Sequence, residues 1–203
     1  MPVPIFVASS NPDKLREYRR LAGDRAIAVD LLPDFEKLPP FEESAPTFAE
    51  NSAGKALHYS RFVAEPVLAD DSGLVVPALA GAPGVLSARY AGADATDEDR
   101  VRKLLREMEA KEGEQRRARF VCATSIARQG RMLMVVSDSV EGVLTREPCG
   151  ANGFGYDPVF FFPRLGRTFA EIAAEEKDIH SHRGKAFRKA LALLIPANFV
   201  NPL

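Results

Sequence analysis

Two neighbouring carboxylates, Asp70 and Asp71, follow the apolar run Val67-Leu68-Ala69 and precede Ser72-Gly73. Adjacent ionised carboxylates repel, so keeping both at the end of an apolar strand costs stability unless a cation or hydrogen bonds offset the repulsion. A divalent metal is the natural offset. Mg2+ takes few protein carboxylates and fills its remaining positions with phosphate and water, which leaves room for Glu42 or Glu43 of an acidic loop beside the pair. In phosphoryl chemistry such an ion neutralises phosphate oxygens while a carboxylate activates the attacking water. The same spacing also fits a plain acidic turn in which Asp71 or Ser72 caps whatever follows.

A second set of residues suits an anionic substrate. In Ser9-Ser10-Asn11-Pro12-Asp13-Lys14, hydroxyls, an amide and a lysine surround an expected helix start, where unpaired N–H groups and the helix dipole favour phosphate. The loop lacks the glycines of a Walker motif, and a merely capped helix would use the same residues. Lys55 lies two turns into another expected helix. Gly153-Phe154-Gly155-Tyr156-Asp157 sets aromatic rings between glycines, so that backbone can approach a planar ligand closely, Phe154 or Tyr156 can stack on a base and Asp157 can accept a hydrogen bond. Such a turn also serves simply to tuck rings into a core. Further on, Lys177 offers a point charge for phosphate and Arg183 a planar fork for phosphate or a carbonyl. His180 and His182, two residues apart at a turn with no cysteine nearby, do not read as a zinc site. Arg116, Arg117 and Arg119 read as a solvated charged face.

The elements that must position these groups alternate between strand and helix. Val3 to Ala8 reads as a strand; Asn11 then caps a helix with Pro12 in its first position and Leu15, Tyr18 and Ala22 at helical spacing. Asp30 to Pro46, rich in proline and acidic residues, reads as an extended connection. Thr47 to Glu50 matches a capping box for a helix reaching about Val63, and Val67-Leu68-Ala69 reads as a short strand that stops at Asp70. Thr96 to Asp99 starts a helix whose Val101, Leu104, Leu105 and Met108 face a core, a structural helix. Arg119 to Ala127 and Met132 to Val143 pair around Gln129-Gly130 as a hairpin, Pro158 to Phe162 forms a further strand, and Ser181 caps a final helix. The class is mixed α/β, with no repeat and no linker long enough to part independent domains.

Composition bounds the function. The chain has 203 residues, 27 Lys+Arg against 28 Asp+Glu, a formal net charge of -1 and 46% hydrophobic content, which suits one soluble domain with a second lobe. Without a basic surplus it does not read as a nucleic-acid coat protein. Its apolar stretches are broken by Pro and Gly and fall short of a membrane span, and the first ten residues lack a signal-peptide core, so a cytoplasmic protein is expected. Cys122 and Cys149 fit neither a disulfide framework nor a zinc motif.

Taken in order, Ser9 to Lys14, Thr47 to Asn51 with Lys55, Leu68 to Leu74, Gly81 to Tyr90, Gly153 to Pro158 and Ser181 to Gly184 resemble the inosine/xanthosine triphosphate pyrophosphatase family over nearly the whole chain. The first loop departs from that family's usual Thr-Gly-Asn opening, having Ser9-Ser10-Asn11. The resemblance implies an elongated fold of two lobes around a central twisted mixed sheet flanked by helices, one domain over residues 1–203 with a cleft between its lobes, and a homodimer. It implies hydrolysis of ITP, dITP or XTP between the α- and β-phosphates, giving a nucleoside monophosphate and pyrophosphate with Mg2+. By position, Asp71 would be base and metal ligand, Glu42 a second metal ligand and Asp70 a supporting carboxylate. Ser9 to Lys14, Lys55 and Lys177 would hold the triphosphate. Ser72, Phe154, Gly155, Tyr156, Asp157, His182 and Arg183 would complete the substrate site, with Phe154 on the base. No nucleic-acid or membrane partner is expected. Two rival readings are a related pyrophosphatase for pyrimidine or modified nucleotides and a nucleotide sensor that does not hydrolyse.

Overall fold

The computed structural model describes residues 2–23 and 27–194. Its elements run β1 (Val3–Val7), α1 (Pro12–Ala22), β2 (Ile27–Leu31), α2 (Phe48–Tyr59), β3 (Val67–Val75), α3 (Asp97–Glu107), β4 (Arg117–Arg128), β5 (Arg131–Leu144), β6 (Phe160–Phe162), β7 (Arg167–Thr168), α4 (Ala174–His180) and α5 (His182–Leu194). One mixed seven-stranded sheet has the order β2-β1-β3-β4-β5-β6-β7. β1 lies parallel to both β2 and β3, while β6 is antiparallel to β5 and β7. The expected mixed α/β class is what the chain adopts.

Local signals account for most of the helix starts. The Asn11 side chain accepts the N–H groups of Asp13 and Lys14 and fixes the start of α1, with Pro12 in the first turn as expected. Thr96 and Asp99 form a complete capping box at α3. Gln129 and Gly130, with φ of 49° and 74°, make the tight β4–β5 turn that the right-handed strand twist favours.

Several expectations are corrected. β3 does not stop at Asp70 but continues to Val75, so the acidic pair lies inside a strand. β2 occupies Ile27–Leu31 at the sheet edge, a strand that the sequence reading does not mark and whose last two residues fall in the expected connection Asp30 to Pro46. An edge strand buries little, which leaves a weak apolar pattern. α2 ends at Tyr59, short of Val63, and α4 precedes the last helix unannounced by any capping side chain. Ser181 stands between α4 and α5. Arg116 is buried, not solvated: its guanidinium donates to the carbonyls of Met108, Lys111, Leu144 and Thr145 and so ties a turn to the end of β5.

The chain divides into two compact units, Met1–Asp71 with Cys122–Asp138 and Arg183–Leu203, and Ser72–Val121 with Ser139–His182. In the first unit, strand alternation sends Leu68 into a cluster with Ile5, Val7, Tyr18 and Phe187, and Val67 and Ala69 into another with Ala56 and Tyr59. The sheet is thus packed on one face by α1 and α5 and on the other by α2. In the second unit, α3 supplies Val101, Leu104 and Met108 to a core shared with Phe120, Phe160 and Phe169, as its periodicity demands. Among the described residues no helix is long and apolar enough to cross a membrane.

Candidate active site

Asp70 is fully buried on the α1/α5 face of β3. Lys14 and Glu17 sit three residues apart on α1, so both reach the same neighbourhood. Lys14 Nζ lies 3.0 Å from Asp70 Oδ1, and Arg183 Nε and Nη2 donate to Asp70 Oδ2 at 3.2 Å each. Arg183 Nη1 donates to Glu17 Oε2 at 2.5 Å, and the Cys122 thiol points at Asp70 Oδ2 from 3.8 Å. Burial alone would raise the Asp70 pKa, but the charges of Lys14 and Arg183 outweigh it and hold the carboxyl far below its usual range. Burial and the Asp70 charge together push the Cys122 thiol up to about 12, so it stays protonated.

Asp71, one residue on, faces α2 and the acidic loop. Asn51 Nδ2 donates to Asp71 Oδ2 at 2.9 Å. Burial raises the Asp71 carboxyl to about 6; the Asn51 hydrogen bond pulls it down, and the nearby charges of Glu43 and Asp70 push it up. Glu43 Oε1 pairs with Lys55 Nζ at 2.5 Å. Burial would lower the Lys55 pKa, yet Glu43, Asp70 and Asp71 more than compensate and raise it. Glu42 is exposed, and its carbonyl accepts the Ser44 N–H.

These residues suit a hard divalent cation. Three carboxylates are electrostatically coupled here: burial is the main cause of the raised Asp71 pKa, and the charges of Glu43 and Asp70 add to it. The donors are all oxygen, and among the described residues no group of three or more His, Cys, Asp or Glu forms a ready metal cage.

A cavity of about 710 Å3 in the first unit is bordered by Ser9, Ser10, Asn11, Pro12, Glu43 and Lys55, with apolar side chains of the loop after β2 on its other wall. Here the structure shows the capped helix: Asn11 occupies the N–H groups of Asp13 and Lys14, and Ser9 Oγ accepts the Asn11 N–H at 3.2 Å. Asp13 pairs with Arg16.

The remaining predicted residues gather in the second unit, apart from Arg183. Asp157 Oδ2 accepts the Phe154 N–H at 2.9 Å and pairs with buried Lys177, whose Nζ stands 4.9 Å from the centre of the Phe154 ring. Gly153 has φ +73°, and a Cβ there would come 2.1 Å from Asp157 Oδ2, so only glycine permits this turn. Phe154 is half-buried, whereas Tyr156 is buried and donates to the Ser87 carbonyl at 3.0 Å, so that ring serves the core. His182 stacks on Phe120 with ring centres 4.7 Å apart. Ser72, half-buried, follows Asp71 on β3. Arg183 lies with Asp70 and Glu17 in the first unit and is 2% exposed, so its fork grips protein carboxylates.

A family model described as the Ham1 family matches residues 5–193. The chain belongs to the Ham1 family. Among its relatives are proteins named dITP/XTP pyrophosphatase from Geobacillus kaustophilus, 49% identical over 91% of each chain, and from Pectobacterium atrosepticum, 44% identical over 94% of this chain and 97% of that one. The solved Ham1 protein of Coxiella burnetii superposes with TM-score 0.84 at 40% identity, covering 95% of this chain and 98% of that one. The Staphylococcus aureus Ham1 protein gives 0.82 at 36%, covering 94% and 97%.

In this Ham1 chain, residue-type reasoning passes over three positions that steady predicted site residues. Glu17 is one, and its signal is a carboxylate on the buried face of α1 beside Tyr18. Asn51 is another, a 1% exposed amide in the first turns of α2, where Asn is a weak helix former. Asp97 is the third: besides starting α3, it accepts the Gly155 N–H at 2.6 Å, so this helix also steadies the glycine turn.

Proposed function

We propose that this protein hydrolyses non-standard purine nucleoside triphosphates, ITP, dITP and XTP, to the nucleoside monophosphate and pyrophosphate and so clears them from the nucleotide pool. The observation that carries the reading is the division of labour on β3. Asp71 faces the acidic loop with the Asn51 amide as its partner and is placed to take a proton from water, while Asp70 is ion-paired to Lys14 and Arg183. The relatives named dITP/XTP pyrophosphatase support the substrate class.

In this reading Ser9 to Lys14, Lys55 and Lys177 grip the triphosphate, and Phe154 stacks on the base beside Ser72, Gly155 to Asp157 and His182. Residues 1–203 act as one domain of two lobes. Asp71 and Glu42 would hold Mg2+, which when bound would neutralise phosphate oxygens. Glu43, whose charge reaches Asp71, stands beside that pair. Asp71 orients and deprotonates the attacking water. The triphosphate competes with Glu43 for Lys55 and with Asp157 for Lys177, so binding exchanges protein carboxylates for phosphate. No covalent nucleophile is required. Arg183 acts on the substrate through Asp70 and Lys14, which it keeps in place. A homodimer working in the cytoplasm completes the proposal, and light scattering of the purified protein tests the dimer.

The decisive experiment is a nucleotide panel with Mg2+ and product identification. ITP, dITP and XTP should give pyrophosphate and monophosphate in one step, with kcat/KM above those for ATP, GTP and pyrimidine nucleotides. Orthophosphate released through IDP, a pyrimidine or modified nucleotide at the head of the panel, or saturable binding without product would each overturn the reading.

A further inference from the structure

The acidic loop that supplies Glu42 and Glu43 has no regular structure, yet its carboxylates must meet Asp71 of β3 with sub-ångström consistency for a cation to bind. α2 fastens that loop at both ends. At the start, the Tyr59 hydroxyl accepts the Phe41 N–H at 3.2 Å, and the Phe41 ring packs so closely on Gly54 that a Cβ there would lie 2.6 Å from it. At the end, Asn51 Oδ1 accepts the Ala45 N–H at 2.9 Å and Asn51 Nδ2 donates to the Ala45 carbonyl at 3.2 Å. The second Nδ2 proton goes to Asp71 Oδ2. One side chain therefore grips both the loop and Asp71.

From this geometry we infer that Asn51 is the positioning residue that holds the acidic loop and Asp71 in register as the two sides of the divalent-cation site. The inference rests on reading Asp71 as a metal ligand. The site demands an acceptor for Ala45 N–H and donors for both Ala45 C=O and Asp71, all at the reach of one short side chain. A carboxamide meets all three requirements. A carboxylate of the same shape loses both donors and sets a negative charge against Asp71 and the Ala45 carbonyl. Asn51 itself makes no demand on the helix, since its N–H bonds to the Thr47 carbonyl at 3.1 Å like any other in the first turns.

The test compares the full-length parent with Asn51→Asp and Asn51→Ala, using Mn2+ without nucleotide as an EPR probe and ITP turnover as a second readout. Losing an outer partner of a ligand typically weakens metal affinity about 10- to 100-fold, and that loss is expected for Mn2+ in Asn51→Ala, which adds no charge to attract the cation. kcat at fixed Mg2+ should fall in both variants while KM for ITP holds, and raising Mg2+ should restore Asn51→Ala. Near-ultraviolet circular dichroism identifies the folded variants, the turnover of Asn51→Asp serving if Asn51→Ala does not fold. A folded Asn51→Ala that binds Mn2+ as tightly as the parent, a folded Asn51→Asp with the parent's kcat, or a parent that binds no Mn2+, overturns the inference. A parent that binds Mn2+ but yields no pyrophosphate from ITP defeats the proposed function alone, because the Mn2+ comparison still decides the role of Asn51.

Discussion

The two faces of β3 carry carboxylates one residue apart in the chain and opposite in character. On the α1/α5 face, Asp70 is fully buried and countered by Lys14 and Arg183, so its charge is locked on. On the α2 face, Asp71 has an amide for a partner and two further carboxylates for neighbours, so its charge is held in suspense near pH 6. Strand alternation makes this possible: consecutive side chains enter different environments, and one dipeptide yields a structural anchor and a reactive group. Burial acts to raise both pKa values, and at Asp70 the neighbouring cations of α1 and α5 overturn it.

The comparison is most severely challenged by removing the reactive charge. Asp71→Asn should lower kcat on ITP by about a thousandfold, in the range expected when a general base is lost, as read from initial rates of pyrophosphate release. Next in size, Arg183→Met leaves Asp70 and Glu17 buried without their shared cation and should cost about 3–5 kcal/mol in urea unfolding, because a broken buried pair strands a charge. A smaller effect is expected in the pH dependence of metal-free stability. Asp71 has a folded pKa near 6 against an ordinary 3.8, so the folded state holds the proton more tightly and this stabilisation is lost as pH rises from about 4 through 6. Asp70 runs the other way: its contribution is present above its ordinary pKa and fades only in strong acid. Thermal melts of parent and Asp71→Asn without metal should therefore converge at pH 4 and separate by pH 8, with the variant the more stable. Smallest of all, Lys37→Ala removes an exposed pair with Asp34 and should change stability by less than about 0.5 kcal/mol.

Much of this organisation is legible in the residues. Asn11, Pro12 and the Thr96 capping box state their helix starts locally, and the apolar period of α3 states its buried face. The acidic pair, the lysines and the glycine turn announce chemistry because such residues are costly without partners. The continuation of β3 through Asp70 to Val75 is not legible, since the cations that make a buried acidic strand tolerable come from α1 and α5, distant in the chain. For the same reason Arg183 reads as a substrate fork although its partners are Glu17 and Asp70, and Arg116 reads as solvated although four carbonyls enclose it. Partner identity across long sequence separations is a property of packing, and residue type alone does not contain it.

The division of labour on β3 is tested most directly by melting Asp70→Asn and Asp71→Asn side by side at pH 8 without metal. Asp70→Asn removes the anion that pairs with buried Arg183 and partly buried Lys14 and should melt about 10 °C below the parent. Asp71→Asn keeps an acceptor for Asn51 and sheds a desolvated charge, so it should melt at or above the parent. Two variants destabilised alike would contradict the account, because Asp71 would then be as structural as Asp70.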